Sequence, residues 1–187
     1  MKLSEYIKHQ YDASFKEANF PFKIVQRKVK KGEVIYSYYR VGTKIYFLNE
    51  GIVETTIRFG DIEKTLSFIF ENNFFCAFAS ALTGEPSTLQ GTAITDCIIE
   101  EFTYRDYQKA CEIHLLANKI GRIEVEKYYL RKFKREEAFL TKTTEEMYLD
   151  LINKNPEVIQ KVPLKKIANY FGILPETLSR IRKRIDS

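Results

Sequence analysis

The feature that most constrains the fold is a change of sequence pattern near Tyr104. Before it, short runs rich in Val, Ile, Thr, Tyr and Phe are separated by glycines at spacings of about ten residues, which is typical of an antiparallel β sandwich or barrel. The predicted strands are Lys23–Val29, Val34–Tyr38, Lys44–Leu48, Ile52–Phe59, Lys64–Phe70, Gly91–Thr95 and Ile98–Thr103. The N-terminal segment Leu3–Phe20 has apolar residues at helical spacing and predicts a helix.

After the change the pattern is helical. From Tyr104 to Glu137 the chain has no proline and a single glycine, so we expect one long helix there. Apolar residues recur on it at alternating steps of three and four, interrupted once by Lys127, which is the spacing of a coiled-coil seam. The seam residues are Ile113, Leu116, Ile120, Ile123 and Leu130. We expect this seam, over about residues 112–137, to pair with a second copy of the chain. The alternative is a helix packed entirely against its own β domain.

The C-terminal segment from Val162 to Ile185 has the spacing of two short helices joined at Gly172. The small residue Ala168 lies where two helices must approach closely, and glycine can adopt the positive φ that ends a helix. Pro175 suits the first turn of the second helix, where its missing N–H has no partner. With five apolar positions in register, the segment predicts a helix-turn-helix. These positions are Ile167, Phe171, Ile173, Leu178 and Ile181. A preceding helix is predicted over Thr143–Asn153, with a domain boundary near Lys134–Lys142.

The second helix of this motif carries a polar stripe that is suited to DNA. Arg180 can donate two hydrogen bonds to guanine, and Glu176 can accept one from cytosine, so we predict base contacts from these two residues and Ser179. Basic and polar residues beside the stripe are suited to phosphates, which orient a protein without specifying a sequence. They are Lys165, Lys166, Thr177, Arg182, Lys183 and Arg184. The alternative is an ordinary charged helical face with an internal Glu–Arg pair.

The net charge of +5 lies entirely in residues 161–187, and the rest of the chain is neutral overall. A concentrated basic patch attracts a polyanion because binding releases condensed counterions. A solvated basic tail would have the same composition, so charge alone does not decide between the two.

Several classes of protein are disfavoured. No apolar run is long enough to cross a membrane as a helix, and the charged segment Met1–Tyr11 does not have the pattern of a secretory signal, so we expect a cytoplasmic protein. Three scattered cysteines, Cys76, Cys97 and Cys111, predict free buried thiols without a disulfide framework or a metal site. The sequence has no G-x-S-x-G, P-loop or H-E-x-x-H motif, so we expect neither an enzyme nor a cofactor.

This order of parts resembles the Crp/Fnr family of bacterial regulators. The most specific match is the run from Glu176 to Arg180, which is similar to the E-x-x-S-R reading motif of the Fnr-like branch. The segments Lys30–Ile35 and Tyr46–Gly51 resemble the opening strands of the family's cyclic-nucleotide-binding fold. The resemblance implies an α+β protein with a β jelly roll, or double-stranded β-helix, then a long dimerisation helix and a C-terminal winged helix-turn-helix. The implied domains are residues 1–137 and 138–187.

The nucleotide cassette departs from the family pattern. In members that bind cyclic nucleotides, a Gly-Glu pair and a later Arg-Ser pair hold the ribose and the phosphate. The aligned residues here are Cys76, Ala77, Ser87 and Thr88, which lack both charged groups. A buried phosphate without a positive partner is costly, so we do not expect control by cyclic AMP.

The resemblance implies a homodimeric transcription regulator that reads a pseudo-palindromic, TTGA-type site in double-stranded DNA. A second copy of the chain and RNA polymerase are the implied protein partners, and the effector is left open. A different class of function is a small-molecule-binding module whose basic C-terminus contacts a protein or RNA.

Overall fold

The computed structural model describes residues 1–185, so the last two residues of the predicted domain 138–187 lie outside the described part. The N-terminal part is a sandwich of two four-stranded antiparallel sheets. Its strands are β1 (Val25–Val29), β2 (Val34–Tyr36), β3 (Lys44–Glu50), β4 (Val53–Phe59), β5 (Ile62–Ile69), β6 (Asn73–Phe75), β7 (Leu89–Ala93) and β8 (Cys97–Thr103). The sheets have the orders β1-β8-β3-β6 and β2-β7-β4-β5. Only β4 and β5 are neighbours both in sequence and in a sheet, as expected for a jelly roll.

Apolar residues of both sheets fill the space between them. Val29, Leu48, Val53 and Ile99 are at most 1% exposed and belong to one buried cluster. Each predicted strand overlaps an observed strand, because runs of β-branched and aromatic residues between turn residues are typical of strands. The short strand β6 is missing from the prediction because three residues are too few to show a periodicity.

The described chain also contains eight α-helices, joined by loops and by one 3-10 turn at Glu17–Asn19. They are α1 (Leu3–Gln10), α2 (Phe78–Thr83), α3 (Tyr104–Ile113), α4 (Leu115–Thr141), α5 (Thr144–Lys154), α6 (Val158–Lys161), α7 (Leu164–Phe171) and α8 (Pro175–Ile185). The start of α5 is predicted correctly, because Thr143 and Glu146 form a capping box. No strand follows Thr103 in the described part of the chain, so the described residues do not form the β wing of the predicted winged helix-turn-helix.

Two helix predictions are wrong in their extent. The N-terminal helix ends at Gln10 rather than Phe20, because Asp12 accepts hydrogen bonds from the backbone N–H and the hydroxyl of Ser14 and forms a turn. The helix predicted over Tyr104–Glu137 is two helices. His114 has an extended backbone (φ −112°, ψ 108°), which ends α3 and lets α4 leave in a new direction.

The C-terminal helices pack against the sandwich. Ile52 and Ile94, next to β4 and β7, join one buried cluster with Met147, Val158 and Leu178 from the C-terminal helices. Phe68 of β5 and Tyr170 of α7 are in ring contact at 5.5 Å. The helix-turn-helix is therefore held on the β domain by an apolar contact.

We expect Gly51→Ala to destabilise the sandwich more than Gly60→Ala. Both glycines have positive φ (+100° and +58°), a conformation that costs a residue with a side chain about 1–2 kcal/mol. A Cβ at Gly51 would also lie 2.6 Å from the backbone oxygen of Asp96, whereas one at Gly60 would meet nothing within 4 Å. Overpacking of this kind adds about 1–3 kcal/mol. Urea unfolding of both variants measures the difference, and equal losses would contradict the packing argument.

Candidate nucleic-acid interface

The helix-turn-helix is built as its residue pattern predicts. Gly172 has φ +72° and ends α7, and the N–H of Ile173 donates to the carbonyl of Ala168 at 3.0 Å. This is the Schellman arrangement, in which a residue in the left-handed region closes the helix. Pro175 is the first residue of α8. The apolar residues that hold the two helices together are 6% exposed or less, namely Ile167, Phe171, Leu178 and Ile181.

The predicted base-reading residues share the open side of α8. Glu176 and Arg180 are exposed and Ser179 is half-buried, whereas Leu178 and Ile181 point into the core. Within the described chain, neither Glu176 nor Arg180 forms an ion pair. The alternative of an internal Glu–Arg pair on this face is therefore not what the structure shows. Both charged groups are available to a ligand.

The residues predicted to contact phosphates fall into two groups. Lys165, Thr177 and Lys183 are exposed and Arg182 is half-buried, so these side chains border the open face of α8. Arg184 instead pairs with Glu145 of α5 at 2.6 Å, an exposed contact that binding could break at little cost.

Lys166 has a different role in this structure. Its ammonium group pairs with the carboxylate of Glu54 on β4, a residue that is 2% exposed. The other oxygen of the same carboxylate accepts a hydrogen bond from the hydroxyl of Thr65 at 2.7 Å. Asn169, one turn further along α7, reaches the carbonyl of Glu63 at 3.4 Å. In this arrangement Lys166 ties the helix-turn-helix to the β domain, and its predicted contact with a DNA phosphate stays a prediction.

Sequence reasoning missed Glu54 as a functional residue. The sequence offered one indication of its burial. Glu54 lies in a predicted strand between Val53 and Thr55, which are β-branched residues of the type found in buried strands. Its partner lies 112 residues away, so no local pattern could name it.

The predicted dimer seam does not lie on one free face of α4. Leu116 and Ile120 pack against the cluster formed by α1, β3 and β8, as in the alternative of a helix packed on its own β domain. Lys127 donates to the hydroxyl of Tyr11 at 2.9 Å and pairs with Glu124 at 3.0 Å, which ties α4 to α1. Burial lowers the pKa of Lys127, but these contacts raise it more, so the ammonium form is favoured.

Another face of α4 is apolar and open. Two residues of the predicted seam lie on this part of α4: Leu130 is 54% exposed and Ile123 is half-buried. Ile113, which is 77% exposed, is the last residue of α3 and so does not belong to α4. Residues that the sequence prediction left out lie with Leu130 within a sector about 100° wide on the helix surface, at 100° per residue. They are Leu115, Tyr129, Phe133 and Leu140, all more than half exposed. No residue of α4 is buried within the described chain, although the helix has 27 residues.

The cassette positions carry no charge. Ala77 precedes α2 and is 3% exposed, and the hydroxyl of Ser87 accepts a hydrogen bond from the backbone of Leu89 at 2.9 Å. Burial raises the pKa of the Cys76 thiol to about 12, which keeps it protonated. Thr88 is exposed, and its carbonyl accepts from the backbone of Arg58. None of the four side chains offers the positive group that a cyclic phosphate would need.

This architecture is similar to that of known proteins. Residues 26–114 match the cyclic nucleotide-binding domain family. FixK2 from Bradyrhizobium japonicum is 18% identical with a TM-score of 0.70, covering 88% of this chain and 85% of FixK2. A transcriptional regulator assigned to the Crp/Fnr family from Eubacterium rectale is 16% identical with a TM-score of 0.69, covering 88% of this chain and 79% of its own. The chain has the Crp/Fnr fold.

The Crp/Fnr likeness extends over both parts of the molecule. A CooA mutant from Carboxydothermus hydrogenoformans covers 100% of this chain and 84% of its own, with 15% identity and a TM-score of 0.68. No curated protein sequence matches the chain. In residues 1–185 no helix is both long and apolar enough to cross a membrane.

We expect Lys166→Met to destabilise the protein by about 1–3 kcal/mol, because it leaves the buried Glu54 carboxylate without its charged partner. Lys165→Met is the matched control, since Lys165 is exposed on the same helix and a surface change of this kind costs less than about 0.5 kcal/mol. Thermal unfolding compares the two. If they are equally stable, Lys166 does not hold the helix-turn-helix on the sandwich.

Proposed function

We propose that the protein is a sequence-specific DNA-binding transcription regulator of the Crp/Fnr type that acts as a homodimer. The observation that carries the proposal is the unpaired, outward-facing group of Glu176, Ser179 and Arg180 on α8, held by a buried helix-turn-helix core. A helix of this kind enters the major groove, where base edges present distinct donors and acceptors.

The residues of α8, together with Lys165 of α7, have different roles in this proposal. Arg180 donates to O6 and N7 of guanine, and Glu176 accepts from N4 of cytosine. Lys165, Lys183 and Arg182 contact phosphates and make the affinity depend steeply on salt. Two copies related by a two-fold axis present two α8 helices to successive major grooves about 34 Å apart, so the site is pseudo-palindromic.

The open apolar face of α4 supports the homodimer. An apolar stripe along a long helix is stabilised when a second helix covers it, and a copy of the same chain offers a complementary stripe. The stripe proposed for this contact is Leu115, Tyr129, Leu130, Phe133 and Leu140 on α4, and the exposed Ile113 at the end of α3 lies just before it in the chain.

The pair of Lys166 and Glu54 supports a switch between a docked and a released helix-turn-helix. Lys166 cannot contact a DNA phosphate while it is bound to Glu54, so the two partners compete for one ammonium group. The β domain thereby biases the position of the reading helices. Because the cassette lacks both charged groups, we propose that this bias is independent of cyclic AMP.

Selection from a randomised duplex library tests the function. The purified protein, at near-physiological salt and without added ligand, should enrich a two-fold symmetric TTGA-like site. Selection in the presence of cell extract is the second arm, which supplies any missing effector. Failure to enrich a symmetric site in both arms would reject the proposal.

We expect Arg180→Ala to lower affinity for the selected site by about 1–3 kcal/mol and to relax discrimination at one base pair. Arg182→Ala should weaken binding to all sequences alike and reduce the slope of log affinity against log salt by about 1. Fluorescence anisotropy on matched and single-mismatch duplexes measures both. An equal loss of affinity on all duplexes for Arg180→Ala would remove it from the base readers.

We expect Phe133→Asp to shift the protein from dimer to monomer, because it places a charge in the proposed stripe. Leu82→Asp is the control, since Leu82 is 56% exposed on α2 and does not belong to the proposed stripe. Sedimentation at micromolar concentration measures the mass of each. A Phe133→Asp variant that stays dimeric would show that another surface forms the dimer.

A further inference from the structure

The turn between α7 and α8 leaves a leucine in water. Leu174 is 68% exposed, whereas its neighbour Ile173 packs against the buried cluster of the C-terminal helices. Leu174 does not belong to that cluster, so its side chain lies outside the core of the helix-turn-helix. A single exposed leucine is common on protein surfaces, and its position in the fold therefore decides what it means.

Leu174 is the N-cap residue of α8. Its carbonyl oxygen accepts hydrogen bonds from the N–H groups of Thr177 (3.1 Å) and Leu178 (3.2 Å), which begin the helix. At the N-cap a side-chain oxygen stabilises a helix by accepting a backbone N–H, and leucine has no such oxygen. The stability of α8 alone would favour serine, threonine, asparagine or aspartate at this position.

Two other helices of the same chain are capped in the ordinary way. The hydroxyl of Thr103 accepts the N–H of Asp106 at the start of α3, and that of Thr143 accepts the N–H of Glu146 at the start of α5. The start of the proposed reading helix thus departs from a rule that the chain follows at these other helix starts. Departures of this kind are expected at functional positions, where recognition is favoured over local stability.

The start of α8 offers DNA no polar side chain before Glu176. Pro175, the first residue of the helix, is half-buried and has no N–H. The N-terminal end of a recognition helix is the end that contacts base edges in the major groove. An apolar side chain there cannot hydrogen-bond to a base. The apolar group that the major groove presents to it is the 5-methyl group of thymine.

Leu174 lies one step beyond the residues proposed to read bases. Glu176 and Arg180 are about 6 Å apart along the axis of α8, and Leu174 precedes Glu176 by about 3 Å. Successive bases of one strand are about 3.4 Å apart. In a helix that lies along the groove, Leu174 is therefore in register with the base pair next to that of Glu176, on the side away from Arg180.

We propose that Leu174 contacts the 5-methyl group of one thymine in each half-site, on the base pair next to the one that Glu176 reads. The leucine and the methyl group are removed from water together, which favours thymine at this position. This inference rests on the proposed function and deepens it, because it gives the reading helix a specificity residue that recognises a methyl group instead of a hydrogen-bonding group.

Deoxyuridine in place of thymine tests the contact, since it removes the methyl group and keeps the hydrogen-bonding groups of the base. The duplex is the two-fold symmetric site that the selection enriches, with each thymine of a half-site replaced in turn. Fluorescence anisotropy with the full-length chain measures the affinity. At one thymine we expect a loss of about fourfold when one half-site is replaced and about fifteenfold when both are, the effect of a methyl group left in water.

Glu176→Ala locates that thymine. This variant should lose discrimination at the base pair that Glu176 reads, as measured on single-mismatch duplexes. The thymine that is sensitive to deoxyuridine should lie on the neighbouring pair. Sensitivity only at a more distant thymine would contradict the register proposed for Leu174.

Leu174→Ser connects the methyl effect with this residue. Serine supplies the missing oxygen at the N-cap, so we expect this variant to unfold at the same temperature as the original chain or a higher one. Its affinities for the thymine and deoxyuridine duplexes should be equal. The difference between the two proteins is the coupling of Leu174 with the methyl group. Leu82→Ser is the control, because Leu82 is an exposed leucine on α2, and this variant should keep the full deoxyuridine effect.

The outcomes separate this inference from the proposed function. Enrichment of a symmetric site whose thymine and deoxyuridine forms bind equally would keep the DNA-binding regulator and contradict the leucine–methyl contact. A deoxyuridine effect of the same size in Leu174→Ser would assign the methyl group to another side chain. Failure to enrich any symmetric site, with or without cell extract, would reject both proposals.

Discussion

The architecture depends on α4, a helix of 27 residues, none of which is fully buried in the described part of the chain. Its N-terminal half is fixed to the β domain by Leu116 and Ile120 and by the polar cluster of Lys127, Glu124 and Tyr11. Past that point it carries an apolar face toward solvent. Since apolar area left in water contributes nothing to stability, the outward face makes the helix dependent on a partner. The need to cover this apolar face is the constraint that connects the proposed dimer with the position of the helix-turn-helix.

The docking of the helix-turn-helix uses two kinds of contact with different consequences. Ile52 and Ile94 bury apolar area against the C-terminal core, a contact that is not directional and tolerates small shifts. The pair of Lys166 and Glu54 is directional, and the carboxylate is almost fully buried. Moving α7 away from β4 therefore leaves the Glu54 carboxylate without its cation. This makes the ion pair the contact that defines the docked arrangement.

Local chemistry explains which parts of the molecule the sequence predicted. Gly172, Pro175 and the capping box at Thr143 act within a few residues, and the helix ends they predict are observed. Two helices end earlier than predicted, although the apolar spacing of their residues continues. At Asp12 hydrogen bonds to Ser14 form a turn, and at His114 the backbone is extended. The seam was assigned from periodicity alone, which cannot say whether Leu116 faces a partner or its own β domain. Glu54 and Lys166 meet across 112 residues, and such a contact has no local signature.

A second contact also ties α4 to the helix-turn-helix, because the guanidinium of Arg135 lies 5.0 Å from the centre of the Tyr170 ring. Tyr170 belongs to α7, so this contact exists only while the helix-turn-helix is docked. A ligand shifts an equilibrium only by its difference in affinity for the two states. In the proposed switch, DNA gains the ammonium group of Lys166 only in the released arrangement, so DNA itself would favour release.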